Sequence, residues 1–181
     1  MPDLACPHDL TDGTVRLRPW TSGDLACVEQ AATDPRIPEN TSVPARYSPE
    51  EGLAFVERQH ARRTDGHGVS LAIARHDTDQ AVGLVILLLR PQPGVAGLGY
   101  WVVPAARGQG LARRAAGLMT DWGLGTFARI EAWVEPDNHA SRHVLAATGY
   151  ACEGLLRSFL VIGERRADVL VYSRLGGRQV P

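Results

Sequence analysis

Lysine is absent from this chain, and all nineteen of its basic residues are arginine. A Schiff-base lysine, a pyridoxal-phosphate site and a Walker-A phosphate loop each require a lysine, so these three chemistries are excluded. Cysteine is scarce. Cys6, Cys27 and Cys152 are odd in number and widely spaced, with no CxxC pair, and read as reduced thiols rather than a disulfide or zinc framework. No metal is expected. No apolar run approaches the roughly 20 residues of a transmembrane helix. The first ten residues, MPDLACPHDL, hold acids and lack a charged-then-apolar signal pattern, so a cytoplasmic protein is expected. The net charge is −1, which leaves no basic excess for nucleic acid or an anionic membrane surface.

The length of 181 residues and a 44% hydrophobic content suit one well-buried domain. Its expected extent is 13–176, between a loose polar arm (1–12) and a short tail (177–181). Neither repeat nor linker interrupts it. Thr14–Arg18 alternates as a first strand, and Ser22 or Asp24 can cap a helix through Ala32. Asp34–Pro44 reads as a loop punctuated by prolines. Ser48-Pro49-Glu50-Glu51 is a capping box for a second helix carrying Leu53, Phe55, Val56 and Gln59–His60. The period then changes to that of sheet. Val69–Arg75, Ala81–Arg90 and Val95–Val103 are strands joined by turns short enough for antiparallel hairpins. Leu84–Leu89 is almost wholly apolar, as in a strand covered on both faces. A third helix follows over Gly108–Leu124, then a strand at Arg129–Val134. A short helix capped by Asp137 or Asn138 ends at Gly149. A closing hairpin of Tyr150–Val161 and Ala167–Arg174 completes an α/β (α+β) domain of mixed strand direction.

The stretch Gly97–Trp122 (GLGYWVVPAARGQGLARRAAGLMTDW) organises the rest. It is a strand stopped by Pro104, a tight loop with Gly108 and Gly110, and a helix. Unpaired N–H groups at the helix start make an anion site, most simply for a phosphate. Three readings compete for the loop. A Rossmann dinucleotide loop would use Gly108-x-Gly110, with Glu131 about 20 residues on as the ribose ligand. However, Arg113 replaces the third glycine, an antiparallel meander precedes the loop, and Glu131 lies inside its strand. A plain turn that binds nothing is the second reading. The third draws on the rest of the chain.

Arg107-x-x-Gly110-x-Ala112 matches the Q/R-x-x-G-x-G/A signature of the GNAT superfamily of acyl-CoA-dependent N-acetyltransferases. Asn138-x-x-Ser141-x-x-x-Leu145-x-x-x-Gly149-Tyr150 matches a second element, and the tail from Glu153 to Leu175 is also similar. The resemblance spans about residues 14–175 and lies closest to the branch of ribosomal-protein serine and alanine N-acetyltransferases. It implies a GNAT-like mixed, mostly antiparallel sheet of about seven strands with a splayed central strand and about four helices. The implied reaction is transfer of an acetyl group from acetyl-CoA to a primary amine, by direct attack in a ternary complex. The alternative is a coenzyme-A-binding sensor or scaffold that has lost catalysis. The amine would belong to a small molecule or a protein N-terminus, and a homodimer is compatible with the family.

On this resemblance the coenzyme contacts are Trp101, Val102, Val103, Arg107, Gly108, Gln109, Gly110, Leu111, Ala112, Arg113, Asn138 and Ser141. Backbone N–H groups from Gln109 to Ala112 would hold the pyrophosphate, and a bulged strand at Tyr100–Val103 the pantetheine arm. The Val102 N–H would polarise the thioester carbonyl. Arg114 and Arg142 are weaker phosphate candidates. Asn138 would cap its helix and also bond the coenzyme arm. Ser141 is the candidate acid for the leaving thiolate, although a helix hydroxyl is often satisfied by its own backbone. Tyr150 suits packing. Where relatives carry Glu, two residues before the Gly-Tyr of the central strand, this chain has Gly97. A base would then come from Glu57, His60, His67 or Glu153 through water, or be unnecessary if the amine arrives neutral. Cys152 is the residue a covalent route would use. The acceptor wall is expected from Asp34–Pro44, the second helix and the Ile162–Arg166 turn. Their Arg36, Glu39, Arg46, Glu164, Arg165 and Arg166 form a mixed set that selects no substrate charge.

Overall fold

The computed structural model describes residues 10–177. Cys6, most of the expected arm and the tail beyond 177 lie outside them. One sheet runs through the molecule in the order β1-β2-β3-β4-β5-β6-β8-β7. Its strands are β1 (Leu10–Thr11), β2 (Val15–Arg18), β3 (Gly68–Arg75), β4 (Ala81–Leu89), β5 (Val95–Val102), β6 (Arg129–Val134), β7 (Ala151–Ile162) and β8 (Arg165–Leu175). The helices are α1 (Leu25–Ala32), α2 (Arg36–Asn40), α3 (Pro49–Thr64), α4 (Leu111–Gly123) and α5 (His139–Ala147). Every strand pairing is antiparallel except β5 with β6.

The class is the expected one, with one more strand and one more helix. The extra strand comes from the end of the arm, where Leu10 and Thr11 pair with Leu17 and Arg16. Asp12 then accepts the N–H groups of Thr14 and Val15 and ion-pairs with Arg114 at 2.7 Å, tying this edge to α4. The extra helix, α2, forms inside the proline-rich loop. Asp34 accepts the Arg36 N–H at 2.9 Å, and Pro35 supplies a helical φ of −60°.

β4 is central and covered on both faces, its first seven residues all buried. On one face Trp101 of β5 stacks with Trp20 and Phe55, ring centroids 6.1 and 6.4 Å away. On the other, α4 approaches closely because it presents Gly123. A Cβ there would lie 2.6 Å from Leu87 Cδ1 and 2.7 Å from Ile130 Cδ1. In α3 the inner stripe is Phe55, Val56 and Gln59, whereas Leu53 faces outward at 42% exposure. The Ser48 box is half made, with Ser48 accepting the Glu51 N–H. The complete box forms earlier, between Thr21 and Asp24, and caps a single 3₁₀ turn that leads into α1.

Asp24 also receives both Arg18 Nη atoms at 2.8 Å while only 6% exposed. Burial raises its carboxyl pKa, but the bonds from Arg18 and the Thr21 N–H outweigh burial and hold it below the usual range. A carboxyl depressed in the folded state adds stability above its unfolded pKa and loses it as pH falls through the folded value. Asp24→Asn is therefore expected to lower unfolding free energy by about 3 kcal/mol at pH 7. In urea titrations the gap from wild type should narrow below about pH 4, and a gap independent of pH would contradict this account.

Candidate active site

β5 and β6 run side by side over only three residue pairs, Val95↔Arg129 to Gly97↔Glu131, and then part. The opening holds a cavity of about 1140 Å³, lined by Leu98, Tyr100 and Val102 of β5 and by Ala132, Trp133 and Val134 of β6. The parting does not come from the expected bulge in β5. Pairing with β4 is unbroken from Leu89↔Ala96 to Gly83↔Val102, so it is β6 that leaves.

The hydrogen bonds of β5 determine what faces the opening. Arg90 donates its N–H to Val95 O at 3.1 Å, and Val103 donates to Val82 O at 2.9 Å. Antiparallel ladders alternate, so odd-numbered residues of β5 face β4, and Tyr100 and Val102 turn their N–H and C=O groups into the gap. Arg107 confirms the direction, its Nε donating to Val102 O at 3.1 Å.

The glycine loop closes one end. Gly108 and Gly110 have φ of 75° and 73°, values that favour glycine, and a Cβ at either would meet nothing within 4 Å. α4 therefore begins at Leu111, later than the pattern predicts. The first intrahelical bond is Arg114 N to Gly110 O, which leaves the N–H groups of Leu111, Ala112 and Arg113 without helix partners. Gly108, Gly110, Leu111, Ala112 and Arg113 all line the cavity. Val103 and Gln109 lie off its wall. Val103 belongs to the odd-numbered set and is buried, and the Gln109 Oε1 is held by Arg75 at 2.7 Å. Trp101 lines the side opposite Tyr100.

Among the four arginines considered for phosphate, only Arg113 has both a place on the wall and no carboxylate partner among the described residues. Arg107 pairs with Asp34 at 2.5 Å, Arg114 with Asp12, and Arg142 donates to Pro136 O at 2.9 Å. Asn138 caps α5, its side chain accepting the Ser141 N–H at 3.1 Å, and its amide nitrogen remains available at the wall. The Tyr100 hydroxyl donates to Ser141 O at 3.1 Å and bolts α5 to the central strand. Burial pushes the Tyr100 phenol well above its usual range, so the proton for this bond is retained. The Ser141 hydroxyl makes no bond to its own helix, unlike Thr148, whose hydroxyl donates to Val144 O at 2.9 Å.

None of the four candidate bases is on the wall. Glu153 is clamped by Arg129 and Ser173, and these bonds hold its carboxyl down at about 2. His60 bonds Trp20 O through Nε2 at 2.7 Å, and Glu57 and His67 are exposed elsewhere. At Gly97, an added Cβ would lie 2.6 Å from the Arg90 guanidinium. Arg90 crosses that space to reach Glu131 at 3.0 Å and stacks 3.8 Å over Trp133. Cys152 is exposed on β7, and Tyr150 is buried with its hydroxyl 2.7 Å from Thr120, both away from the cavity.

Of the elements expected to form an acceptor wall, α2 contributes Arg36, Ile37 and Asn40 to the cavity lining, α3 contributes Gln59 and Arg62, and the closing hairpin contributes Leu160 and Ile162 of β7. Half of the six charges foreseen there are held in ion pairs. Arg165 bridges Glu39 and Glu135, and Arg36 pairs with Asp137. Asp34, Arg62, Glu135, His139 and His143 line the cavity without having been singled out. For Arg62 a signal existed, since Gln59 and Arg62 continue the inner stripe of α3 as polar residues among apolar ones.

A sheet opened beside its central strand, with a glycine loop at one end of the opening, defines a class of acyl-transfer folds. The sequence pattern of the acetyltransferase (GNAT) domain matches residues 14–151. The chain belongs to the GNAT acetyltransferase family and is an N-acetyltransferase. It is 24% identical over 166 residues to the uncharacterized N-acetyltransferase YoaA of Bacillus subtilis, covering 90% of this chain and 94% of that one. Mycobacterium smegmatis RimJ, solved in complex with a CoA disulfide, superposes with a TM-score of 0.77 at 26% identity, over 89% of this chain and 81% of that one. The ribosomal-protein-S5-alanine acetyltransferase of Vibrio fischeri shares the fold with a TM-score of 0.77 at 21% identity, over 97% and 100%. No helix among the described residues is long and apolar enough to cross a membrane.

Proposed function

We propose that the chain transfers the acetyl group of acetyl-CoA to a primary amine by direct attack in a ternary complex. The observation that carries this reading is the single cavity that runs from the glycine loop through the gap between β5 and β6 to α2 and α3. Two substrates can thus meet from opposite ends at the central strand. RimJ binds a CoA disulfide, which supports coenzyme A as the occupant of the glycine-loop end. In this reading the N–H groups of Leu111, Ala112 and Arg113 and the Arg113 side chain hold the phosphates. The pantetheine arm lies in the gap, where Asn138 can donate its amide N–H. The Val102 N–H meets the thioester oxygen as negative charge builds on it.

The acceptor nitrogen attacks the carbonyl carbon, the carbon–sulfur bond breaks, and sulfur takes a proton. A neutral amine releases one proton as the thiol gains one, so the reaction needs a relay rather than a net acid. In this reading the Ser141 hydroxyl, on the cavity wall, is that relay. Cys152 takes no part. Its free thiol, with that of Cys27, fits a cytoplasmic setting.

Glycine stands at position 97, the wall carboxylates Asp34 and Glu135 are both held in ion pairs, and the imidazoles of His139 and His143 are the remaining wall groups able to take a proton; in this reading the amine arrives already neutral. The pH profile should then belong to the acceptor. Below the acceptor's ammonium pKa, kcat/KM is expected to rise about tenfold per pH unit, with the break moving between two amines of different pKa. Thiol release from acetyl-CoA across an amine panel measures both the activity and the profile. One break shared by all amines would reveal an enzymic base. Tight acetyl-CoA binding with no release for any amine would sink the transferase reading.

A further inference from the structure

Arg62 of α3 stands on the cavity wall without a carboxylate partner among the described residues, and the proposed reaction gives it no role. The only other such wall arginine is Arg113, which the phosphates of the coenzyme account for. Arg36 and Arg107 are paired with Asp137 and Asp34. The wall carboxylates, Asp34 and Glu135, are both taken by arginines as well. Uncompensated charge at the acceptor end is therefore positive and sits on Arg62.

The guanidinium is held in place by neutral oxygens. Nε donates to Gln59 Oε1 at 3.3 Å and Nη2 to Ser42 Oγ at 3.4 Å. Gln59, only 2% exposed, is itself fixed, receiving the Ser70 hydroxyl at 3.0 Å and donating to Phe55 O at 3.0 Å. These bonds use part of the five-donor fork and leave the rest for a ligand. Burial, with Arg58 nearby, lowers the Arg62 pKa, so the charge is held where an anion would relieve it. Ser70, Ile86 and Gly99 form one row across β3, β4 and β5, which places the Gln59–Ser70 contact about 10 Å from the central strand, two strand spacings. Between the two ends the wall is apolar, with Leu84, Ile86, Leu88 and Trp101.

On the reading of the protein as an acetyl-CoA-dependent amine acetyltransferase, we propose that its acceptor is an amine bearing a carboxylate or phosphate remote from the nitrogen, across an apolar body, and that Arg62 binds this anion. A cationic acceptor such as a polyamine finds no uncommitted carboxylate on the wall and is disfavoured.

Four amines of one length test this: hexylamine, 6-aminohexanoate, 6-aminohexyl phosphate and 1,6-diaminohexane. In thiol-release assays with saturating acetyl-CoA, at least one anionic amine is expected to show a KM tenfold or more below that of hexylamine, with the diamine poorest. Comparison of the two anionic arms tells carboxylate from phosphate. Arg62→Ala should raise the KM of the preferred anion at least tenfold, leave hexylamine unchanged and leave the acetyl-CoA Kd unchanged. Arg62→Lys should restore part of the loss. Calorimetric titration of the same amines into the coenzyme-A-loaded protein reads the anion site without turnover. Arg62-dependent binding of the anionic amines with no thiol release would defeat the transferase reading and leave the anion site standing. Equal KM and equal affinity for hexylamine and the anions, or an Arg62→Ala change that affects hexylamine as strongly, would overturn the anion site and leave the transferase reading intact.

Discussion

Ser141→Ala is expected to lower kcat about 10²-fold at saturating acetyl-CoA, the low end of what a positioned proton donor contributes. The expectation rests on three features of this serine. It lies on the cavity wall, its hydroxyl makes no bond to its own helix, and its backbone is held from both sides. Asn138 Oδ1 accepts its N–H, and the Tyr100 hydroxyl donates to its C=O. A side chain mounted on a doubly anchored backbone keeps its aim when the hydroxyl is removed, so the acetyl-CoA Kd should stay within about threefold. Ser141→Thr retains the hydroxyl and should recover most of the rate. A Ser141→Ala enzyme with wild-type kcat would remove the relay from the mechanism. A raised Kd with unchanged kcat would make Ser141 a coenzyme contact only.

Gly110→Val is expected to weaken acetyl-CoA binding at least tenfold, about 1.4 kcal/mol. Two effects combine in that loss. Valine at a φ of 73° is strained by roughly 1–2 kcal/mol, and its side chain would fill the open space above the loop. Gly110→Asn separates them, because asparagine tolerates the left-handed conformation yet still fills the space. If close approach of the pyrophosphate is what glycine provides, the Asn variant melts near wild type and also binds acetyl-CoA poorly. If only backbone conformation matters, the Asn variant binds normally and the Val variant does not. Normal binding in both folded variants would make the loop a turn and nothing more.

The glycine loop and the Asn138–Ser141 helix were legible because their chemistry is local. A left-handed residue, an N-cap and orphan N–H groups are properties of a few consecutive residues. The three meander strands were legible for the same reason, since a change of period and short turns mark them. Ser48 was legible as a cap, whereas the complete box at Thr21 was not, because its completing carboxylate, Asp24, is drawn in by Arg18, a partner the pattern does not reveal. α2 was hidden by its prolines, which punctuate a loop yet also suit a helical start. Gly97 was visible as a gap in the sequence. That Arg90 fills the gap follows from Glu131 and Trp133, both on another strand.

The sequence by itself determined the family, the order of most elements and the glycine loop, because each shows in short-range backbone conformation and hydrogen bonding. Only the tertiary structure decided which charges remain uncommitted. Arg107 and Arg165 looked available and are paired, while Arg62 went unremarked and is free of any carboxylate on the wall. The reason is that an ion pair forms wherever two side chains of opposite charge are brought within about 4 Å. Asp34 and Arg107 are far apart along the chain, and only the tertiary fold brings them together.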